Sequence, residues 1–331
     1  MLKKPKILVV GSFNMDLIAS AQRAPESGET VIGGAFRTAP GGKGFNQAVQ
    51  CARLGAEVTM CGKVGKDDFG KTLLAAAEST GIDISRVLTD PEVSTGVAMI
   101  LLEEKDGTTH NRITVCPGSN FTITAEEIAW IREEVGGYDM VILQFELPMD
   151  VVETVAEWAH ETNVPVMVNP APAASMSDRL LGAAAFLSPN EHEAAILAGH
   201  PIRVENGINY EDVEIVAKAF RERGVKNLII TMGGNGSVIA GEDGIAHTDC
   251  VRMPEVADPT AAGDSFVAAF CTGLTAGLPQ AQALAFASHA AAITVSRMGA
   301  MPSLPTVDEG RALLRERGYD GFDAALLDAL T

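Results

Sequence analysis

Aromatic and basic residues are scarce in this sequence of 331 residues. Aromatic residues make up only 5% of it, so the core must consist mainly of Ala, Val, Ile and Leu, as in helices packed on a buried parallel sheet. The 25 basic residues face 43 acidic ones, which gives a formal net charge of -18. A field of this sign repels nucleic acid and anionic membranes, so we expect neither as a partner.

Cysteine pairs and long apolar runs are missing as well. The five cysteines are widely spread, with no Cys-x-x-Cys pair, which is typical of free thiols in the reducing cytoplasm. No stretch approaches the ~20 apolar residues of a membrane span. The apolar run 7–10 is too short for a secretion signal, because Asn14 and Asp16 interrupt the residues after it, and we interpret it as a first β-strand.

Strand and helix patterns alternate along most of the chain. Short apolar runs predict buried strands at 6–10, 58–61, 140–144, 166–169, 186–188 and 228–231. Helical patterns predict helices at 42–54, 69–80, 151–160, 191–198, 210–223, 264–275, 280–297 and 307–330. This alternation implies right-handed crossovers and a mostly parallel sheet with helices on both faces. We therefore predict a single α/β domain over residues 1–331.

Two segments interrupt the alternation. Residues 13–40 and 95–117 have the pattern of hairpins rather than of strand–helix–strand units. Within the second segment, Asp106-Gly107 is a strong hairpin-turn signal. Together the two segments predict a small antiparallel sheet outside the main sheet, which is a candidate lid.

The strongest local signal is the run Asp258-Pro259-Thr260-Ala261-Ala262-Gly263-Asp264, which leads directly into an Ala-rich helix. Small residues at a helix start let backbone N–H groups converge on an anion. A carboxylate at the same place would compete with a bound anion. Its presence makes sense if Asp264 takes a proton from an attacking hydroxyl while the amides hold a transferring phosphoryl group. The alternative is that Asp264 only caps the helix.

A second glycine-rich turn, Gly41-Gly42-Lys43-Gly44-Phe45-Asn46, also enters a predicted helix. It lacks the spacing of a P-loop and has no Ser or Thr after its Lys, so it is not a Walker A motif. Lys43 and Asn46, one turn apart, suit sugar hydroxyls. Asn14 and Asp16 come after the first strand, where α/β sheets place ligand-binding residues, although a simple polar turn is the alternative.

Two further turns come after predicted strands. Asn190 and Glu193 form either a helix capping box or a pair that orients hydrated Mg²⁺ on nucleotide phosphates. The glycine-rich turn 231–236 continues into a β pattern at 237–240. A dinucleotide site needs a helix after the glycine turn, so this context disfavours a nicotinamide-dependent oxidoreductase.

Together these segments resemble the ribokinase family of carbohydrate kinases, and the resemblance extends over residues 7–303. The motifs that carry it occur in the family's order: Gly11-Ser12-Phe13-Asn14-Met15-Asp16, Gly28-Glu29-Thr30-Val31, Gly41-Gly42-Lys43-Gly44-Phe45-Asn46-Gln47-Ala48, Asn169-Pro170-Ala171-Pro172-Ala173, Asn190-x-x-Glu193 and Asp258-x-Thr260-Ala261-Ala262-Gly263-Asp264. The ordered set implies a three-layer α/β/α fold with a β-sheet lid. The tail beyond Gly318 is not covered.

The resemblance implies transfer of the γ-phosphoryl group of ATP to the 5-hydroxyl of D-ribose, with Asp264 as the catalytic base. The anion hole would be Ala261, Ala262 and Gly263. The sugar contacts would be Asn14, Asp16, Gly42, Lys43, Asn46, Glu146 and Asp264. The nucleotide contacts would be Asn190, Thr231, Gly233, Gly234, Asn235, Gly236, Gly263 and Ser288.

The resemblance also implies two metal ions and a homodimer formed through the lid. Glu193 would belong to the magnesium-linked motif. A monovalent cation, usually K⁺, would lie in loops that contain Asp258, Thr260, Thr294, Arg297, Gly299 and Ser303. Pro259 stands where a Thr or small residue is more usual. The family often has His or Asn near the adenine at the position of Ser288, whereas here His289 lies one residue later.

The sequence leaves several functions open. Within the kinases, the acceptor could instead be deoxyribose, a ketose such as fructose, or a nucleoside. A non-catalytic sugar-binding module on the same fold is a second alternative. Asp264, the anion-hole residues and Glu193 argue against it, because binding alone needs no base.

Overall fold

The structure, a computed structural model, describes residues 4–105, 108–205 and 207–319 together with Leu327 and Leu330. Its strands are β1 (Lys6–Val10), β2 (Asn14–Ala21), β3 (Phe36–Gly41), β4 (Glu57–Gly65), β5 (Val87–Asp90), β6 (Gly96–Lys105), β7 (Thr108–Cys116), β8 (Met140–Gln144), β9 (Val166–Asn169), β10 (Phe186–Leu187), β11 (Leu228–Thr231), β12 (Ser237–Gly241) and β13 (Gly244–Thr248). Its α-helices are α1 (Lys43–Arg53), α2 (Asp68–Glu78), α3 (Trp130–Glu134), α4 (Met149–Glu161), α5 (Asp178–Ala183), α6 (Glu191–Ala198), α7 (Tyr210–Glu222), α8 (Ala262–Ala276), α9 (Gln280–Val295) and α10 (Val307–Glu316).

The main sheet has nine strands in the order β13-β12-β11-β10-β9-β8-β1-β4-β5. All neighbours from β11 to β5 run parallel, and β12 and β13 add an antiparallel edge. In the central strand β1, Ile7 belongs to an apolar cluster that contains Phe45 of α1. Its neighbour Leu8 belongs to a different cluster, which contains Phe220 of α7. Helices therefore cover both faces of the sheet, which confirms the three-layer α/β/α fold.

The small sheet has the order β3-β2-β6-β7 and comes from the two predicted segments. A separate small sheet is thus confirmed, but its all-antiparallel arrangement is wrong, because β2 and β6 run parallel with Asn14 opposite Gly96. Between these strands the chain passes through β3, α1, β4, α2 and β5, and such a long connection allows a parallel pair. The predicted turn at Asp106-Gly107 lies outside the described residues.

Some element boundaries differ from the prediction. β4 continues to Gly65, because its last residues pair with the short strand β5, which was not predicted from the sequence. The edge strand β13 was not predicted either. The helix expected over 307–330 is α10 as far as Glu316, and most of the tail beyond Tyr319 lies outside the described residues. In the described part of the chain, no helix combines the length and the apolarity that crossing a bilayer requires.

Gly44 allows α1 to begin directly against the end of β1. A Cβ atom on Gly44 would lie 2.5 Å from the backbone N of Ser12 and 2.6 Å from the Cα of Gly11. Both are backbone atoms, which cannot rotate out of the way. This close approach sets Lys43 and Asn46 of α1 beside the loop that leads from β1 into the small sheet.

We predict that Gly44→Ala lowers the free energy of unfolding by about 3 kcal/mol, because the added methyl group overpacks the backbone of Gly11 and Ser12, just after β1. The matched control is Gly182→Ala in α5, where no atom lies within 4 Å of the added Cβ. The control should gain roughly 0.5–1 kcal/mol from the better helix propensity of Ala. Urea unfolding curves measure both changes, and equal stability of the two variants would contradict the prediction.

Candidate active site

The carboxyl ends of the parallel strands meet the N-termini of α1 and α8 at one edge of the main sheet. Open α/β sheets bind ligands at this edge. Gln144 and Asn169 are the last residues of β8 and β9, and Ser188 comes directly after β10. All three are buried, so the strands that form the core also carry a polar cluster toward this edge.

Glu146, just beyond β8, joins two of the other predicted sugar contacts, Asn14 and Lys43, and also binds Ser12. Its Oε2 accepts hydrogen bonds from Ser12 Oγ at 2.5 Å, from the backbone N of Lys43 at 2.9 Å and from Asn14 Nδ2 at 3.3 Å. The loop after β1, the start of α1 and the loop after β8 therefore share one carboxylate. No role for Ser12 was predicted from the sequence.

Asp16 lies on β2 beside this cluster and is 8% exposed. Burial raises its pKa to about 7, and the negative charges of Glu146 and Asp264 add to the rise. Gly41 on the neighbouring strand β3 makes room for the carboxylate, because a Cβ there would lie 2.7 Å from Asp16 Oδ2. The small sheet thus places an acid over the main sheet, in a state close to half protonated at neutral pH.

Asp264 is buried at the start of α8 and is held by two amides of α1. Its Oδ2 accepts from Asn46 Nδ2 at 3.0 Å, and its Oδ1 accepts from Gln47 Nε2 at 2.9 Å. Burial raises the pKa of Asp264, while the charge of Lys43 and the two amide bonds act against that rise. Asn46 Oδ1 has no hydrogen-bond partner among the described residues, which leaves it free for a ligand hydroxyl.

Lys43 supplies the positive charge of the site. Burial alone lowers the pKa of its ammonium group, yet the pKa lies above the ordinary lysine value, because three carboxylates surround the group. They belong to Asp264, Glu146 and Glu193. Lys43 therefore stays charged and offsets part of the repulsion among these acids.

The first turn of α8 exposes backbone donors toward the same space. Ala261 caps the helix with φ of +61°, a left-handed conformation that few residues other than glycine adopt. The N–H of Ala262 donates to Pro259 O at 3.2 Å, whereas those of Gly263 and Asp264 find no acceptor among the described residues. The capping alternative for Asp264 is wrong, because its carboxylate binds the amides of α1 rather than the end of its own helix.

A cavity of about 210 Å³ connects Asp264 with the predicted phosphate-binding residues. Its lining includes Lys43, Asn169, Ser188, Asn190, Glu193, Thr231, Ala261, Ala262, Gly263 and Asp264. A buried carboxylate, a cation and free helix N–H groups therefore face one small polar space. This combination suits transfer of an anionic group to an alcohol.

Comparisons with known proteins agree with this chemistry. The family described as "pfkB family carbohydrate kinase" matches residues 4–307. The chain belongs to the pfkB family of carbohydrate kinases. It is 37% identical to the ribokinase of Schizosaccharomyces pombe, over 92% of this chain and 96% of that protein, and 37% identical to the ribokinase of Bacillus subtilis, over 93% and 99%. It is 32% identical to a deoxyribokinase of Salmonella typhi, over 92% and 96%.

A solved structure of Arabidopsis thaliana ribokinase complexed with ribose and ATP is similar to this pfkB family kinase. The two superpose with a TM-score of 0.85 at 29% sequence identity, over 94% of this chain and 99% of the other. The family assignment removes the nicotinamide-dependent oxidoreductase from consideration. The observed context of the glycine turn agrees, because Gly233–Asn235 connect the antiparallel strands β11 and β12.

Asn190 and Glu193 of the kinase form the predicted capping box and also line the small cavity. Asn190 Oδ1 accepts from the backbone N of Glu193 at 2.8 Å, and Glu193 Oε2 accepts from the backbone N of Asn190 at 2.9 Å. Burial raises the pKa of Glu193, and its bond with Asn190 acts against the rise. Among the described residues, no group of three or more His, Cys, Asp or Glu side chains is arranged to hold a metal ion.

Ser288, the residue predicted to lie near the adenine, lines a different cavity. Ser288 and His289 on α9 line a cavity of about 1040 Å³ beside the hairpin of β12 and β13. His289 Nδ1 lies 2.7 Å from Ala285 O, and burial lowers the pKa of the His289 imidazole. Both residues therefore line this cavity. An imidazole is present there, although it belongs to His289 and not to the residue at position 288.

The loops predicted to hold a monovalent cation lie side by side. Asp258 Oδ1 accepts from the backbone N of Thr260 at 2.9 Å, and Asp258 Oδ2 accepts from the backbone N of Gly299 at 3.0 Å. Thr294 and Ser303 are buried, with their hydroxyls bonded to main-chain oxygens of Ala290 and Ala300. The guanidinium of Arg297 pairs with Glu309, which leaves the backbone of Arg297 as its available ligand.

Four buried polar residues around Asp264 were not predicted from the sequence as part of the site: Gln47, Gln144, Asn169 and Ser188. Three of them lie at or just after the carboxyl end of a predicted strand, a position that marks a binding edge in a parallel sheet. Gln47 lies on the buried side of α1. A polar residue on a buried helix face was the signal available in the sequence.

We predict that Asp16 makes stability depend on pH. Folded Asp16, with a pKa of about 7, keeps its proton between pH 4 and 7, where the unfolded chain with a pKa near 3.8 has released it. The free energy of unfolding should therefore fall with rising pH in this window, relative to Asp16→Asn, by up to roughly 4 kcal/mol. Urea unfolding of both proteins at several pH values measures the difference, and a difference that does not vary with pH would show that Asp16 titrates normally.

Proposed function

We propose that this chain phosphorylates D-ribose at its 5-hydroxyl, with ATP as the donor and ribose 5-phosphate and ADP as products. The observation that carries the proposal is the position of Asp264, between the polar cluster around Glu146 and the small cavity at the N-terminus of α8. The relatives at 37% identity are named ribokinases, and the similar Arabidopsis thaliana structure holds ribose and ATP.

The sugar would lie against Asn14, Asp16, Gly42, Lys43, Asn46, Glu146 and Asp264. Asp264 accepts the proton of the 5-hydroxyl as the new bond between that oxygen and the γ-phosphorus forms. The bond from the γ-phosphorus to the bridging oxygen of ADP breaks in line with it. A buried base whose pKa lies above the ordinary range holds the captured proton well, which favours this step.

The donor side relies on main-chain amides and local cations, because the net charge of the chain opposes ATP. The predicted anion hole of Ala261, Ala262 and Gly263 would hold the transferring phosphoryl group. Gly263 has a free N–H group for this task and the adjacent Asp264 N–H adds a second, whereas the N–H of Ala262 also donates to Pro259 O. Lys43 would offset the charge of the phosphoryl group. Asn190 and Thr231 would contact the nucleotide, with Ser288 near the adenine and the turn 233–236 alongside. When bound, Mg²⁺ neutralises charge on the phosphates, and Glu193 would orient it through its waters.

A monovalent cation would lie between the loops that Asp258 joins. Carboxylate, hydroxyl and carbonyl oxygens at Asp258, Thr260, Thr294, Arg297, Gly299 and Ser303 are hard donors suited to K⁺. The loop of Asp258 continues directly into the first turn of α8, so a cation there would stiffen the amides that face the phosphoryl group.

The small sheet would act as a lid and as the contact between two copies of the chain. Closure would exclude water and limit wasteful hydrolysis of ATP. Phe36 on β3 and Ile113 on β7 are more than half exposed, so the outer strands present apolar side chains at open sheet edges. Sedimentation at several concentrations tests the dimer, and a monomer throughout would refute it.

We place the enzyme in the cytoplasm, and cell fractionation tests that placement.

We predict that ribose is the preferred acceptor in an assay that couples ADP release to a measurable signal. Its kcat/KM should exceed those of deoxyribose, fructose and nucleosides by at least ~10-fold, because a polar site penalises the loss of a hydroxyl. Replacing K⁺ by choline should lower the rate. Preference for another acceptor would keep the kinase and refute ribose, whereas no ADP release with any acceptor would favour a binding module.

We predict that Asp264→Asn lowers kcat by at least ~100-fold, because the amide cannot accept the proton of the hydroxyl. Binding of ATP, measured by calorimetry, should survive. Asp150→Asn is the matched control, since it also removes an acid from the first turn of a helix but lies exposed on α4. Equal turnover in the two variants would refute the role of Asp264.

A further inference from the structure

Gln47 makes a second contact with the catalytic carboxylate that no predicted role explains. It is the residue after Asn46 on α1 and is fully buried. Its Nε2 donates to Asp264 Oδ1 at 2.9 Å and to Asn169 Oδ1 at 3.1 Å. The side-chain amide has two N–H bonds, and each of them has an acceptor. Gln47 therefore uses its whole donor capacity at the base and at one neighbour.

The neighbours of Gln47 fix which end of its amide faces Asp264. Gln47 Oε1 accepts from Gln144 Nε2 at 2.6 Å. On the other side, Asn169 Nδ2 donates to Ser188 O at 2.7 Å, which turns the Asn169 oxygen toward Gln47. A flipped Gln47 would set its oxygen against two other oxygens, those of Asp264 and Asn169. The hydrogen bonds with Gln144 and Asn169 therefore hold Nε2 of Gln47 toward Asp264.

This network of side-chain amides leaves some buried polar atoms without hydrogen-bond partners. Gln144 Oε1 and Ser188 Oγ have no hydrogen-bond partner among the described residues. Gly11 gives Gln144 its space, because a Cβ there would lie 2.1 Å from Gln144 Oε1. An apolar packing of the same volume would avoid these costs. The arrangement therefore points to a task beyond packing.

We propose that Gln47 is a positioning residue for phosphoryl transfer, which holds the Asp264 carboxylate ionised and fixes Oδ2 toward the sugar. The inference rests on the proposed function, because it assigns Gln47 to the same base. Asn46, the other donor to Asp264, lies among the predicted sugar contacts, and a bound sugar competes for it. Apart from Asp264 itself, Gln47 makes no side-chain hydrogen bond with a predicted sugar or nucleotide contact, so no ligand competes for its bond with the base.

The charges around Asp264 make such a donor necessary. The carboxylates of Asp16 on the small sheet, Glu146 beyond β8 and Glu193 on α6 all face it, with Lys43 of α1 as the opposing cation. Burial, and to a smaller extent the negative charge of Glu146, favour the protonated form of Asp264, in which it cannot act as a base. Donors to the charged form oppose both effects.

The test compares Gln47→Met with the wild type by steady-state kinetics over a range of pH. Methionine keeps the length of the side chain but donates no hydrogen bond. We expect kcat for ribose to fall at least ~10-fold at neutral pH, and the acid limb of its pH profile to move up by about one pH unit. KM for ribose should change less than kcat, since Gln47 does not touch the sugar.

Two further variants separate positioning from packing. Gln50→Met is the matched control, because Gln50 is equally buried on α1, bonds to Pro305 O and Ser265 Oγ, and does not reach Asp264. It should lower thermal stability without moving the acid limb. Gln47→Glu keeps an acceptor for Gln144 but adds a carboxyl group against Asp264, so it should move the limb further than methionine does. Acid limbs that coincide in all three variants and the wild type would overturn the proposal.

A ligand-free measurement keeps this test apart from that of the proposed function. ¹³C NMR of labelled Asp carboxyl groups tracks the titration of Asp264, with its signal assigned by its loss in Asp264→Asn. A higher pKa in Gln47→Met than in Gln50→Met supports the proposal, and equal values overturn it. If the wild type phosphorylates no sugar, the proposed function fails while this titration still decides the role of Gln47.

Discussion

The buried carboxylate of Asp264 needs compensation, and the surrounding structure supplies it. Removing a charge from water costs several kcal/mol unless partners replace the lost hydration. At this site the partners are the ammonium group of Lys43 and the side-chain amides of Asn46 and Gln47. All three come from the first turns of α1, so the packing of that helix against α8 sets the environment of the Asp264 carboxylate.

The main sheet makes this meeting possible. α1 starts directly after the small sheet's strand β3, and Gly44 lets it pack against the backbone at the end of β1. α8 starts at the same edge with a left-handed residue, Ala261, which turns the chain into the helix. Phe45 and Phe270 on the two helices belong to one apolar cluster. Burial of that cluster fixes the spacing of the polar groups at the edge.

The sequence predicted those parts of the fold and site that depend on local patterns. Periodicity located most of the parallel strands of the main sheet and most helices, and the small residues before Asp264 located the turn at the start of α8. Local patterns could not predict that β2 and β6 run parallel, because that pairing depends on the path of the chain between them. Nor could they predict that Gln47 reaches Asp264, since 217 residues separate them and the contact exists only in the folded chain.

A crystal structure with ribose and a non-hydrolysable ATP analogue would show whether Asp264 is placed to take the proton of the 5-hydroxyl. The quantity to measure is the distance from the Asp264 carboxylate to the 5-oxygen of ribose. We expect a hydrogen-bond distance of about 2.6–3.2 Å. The 5-oxygen should lie between Asp264 and the terminal phosphorus, and it should be in line with the bond from that phosphorus to its leaving group. Ribose bound at this edge with its 5-hydroxyl turned away from Asp264, toward another base or toward solvent, would contradict the account.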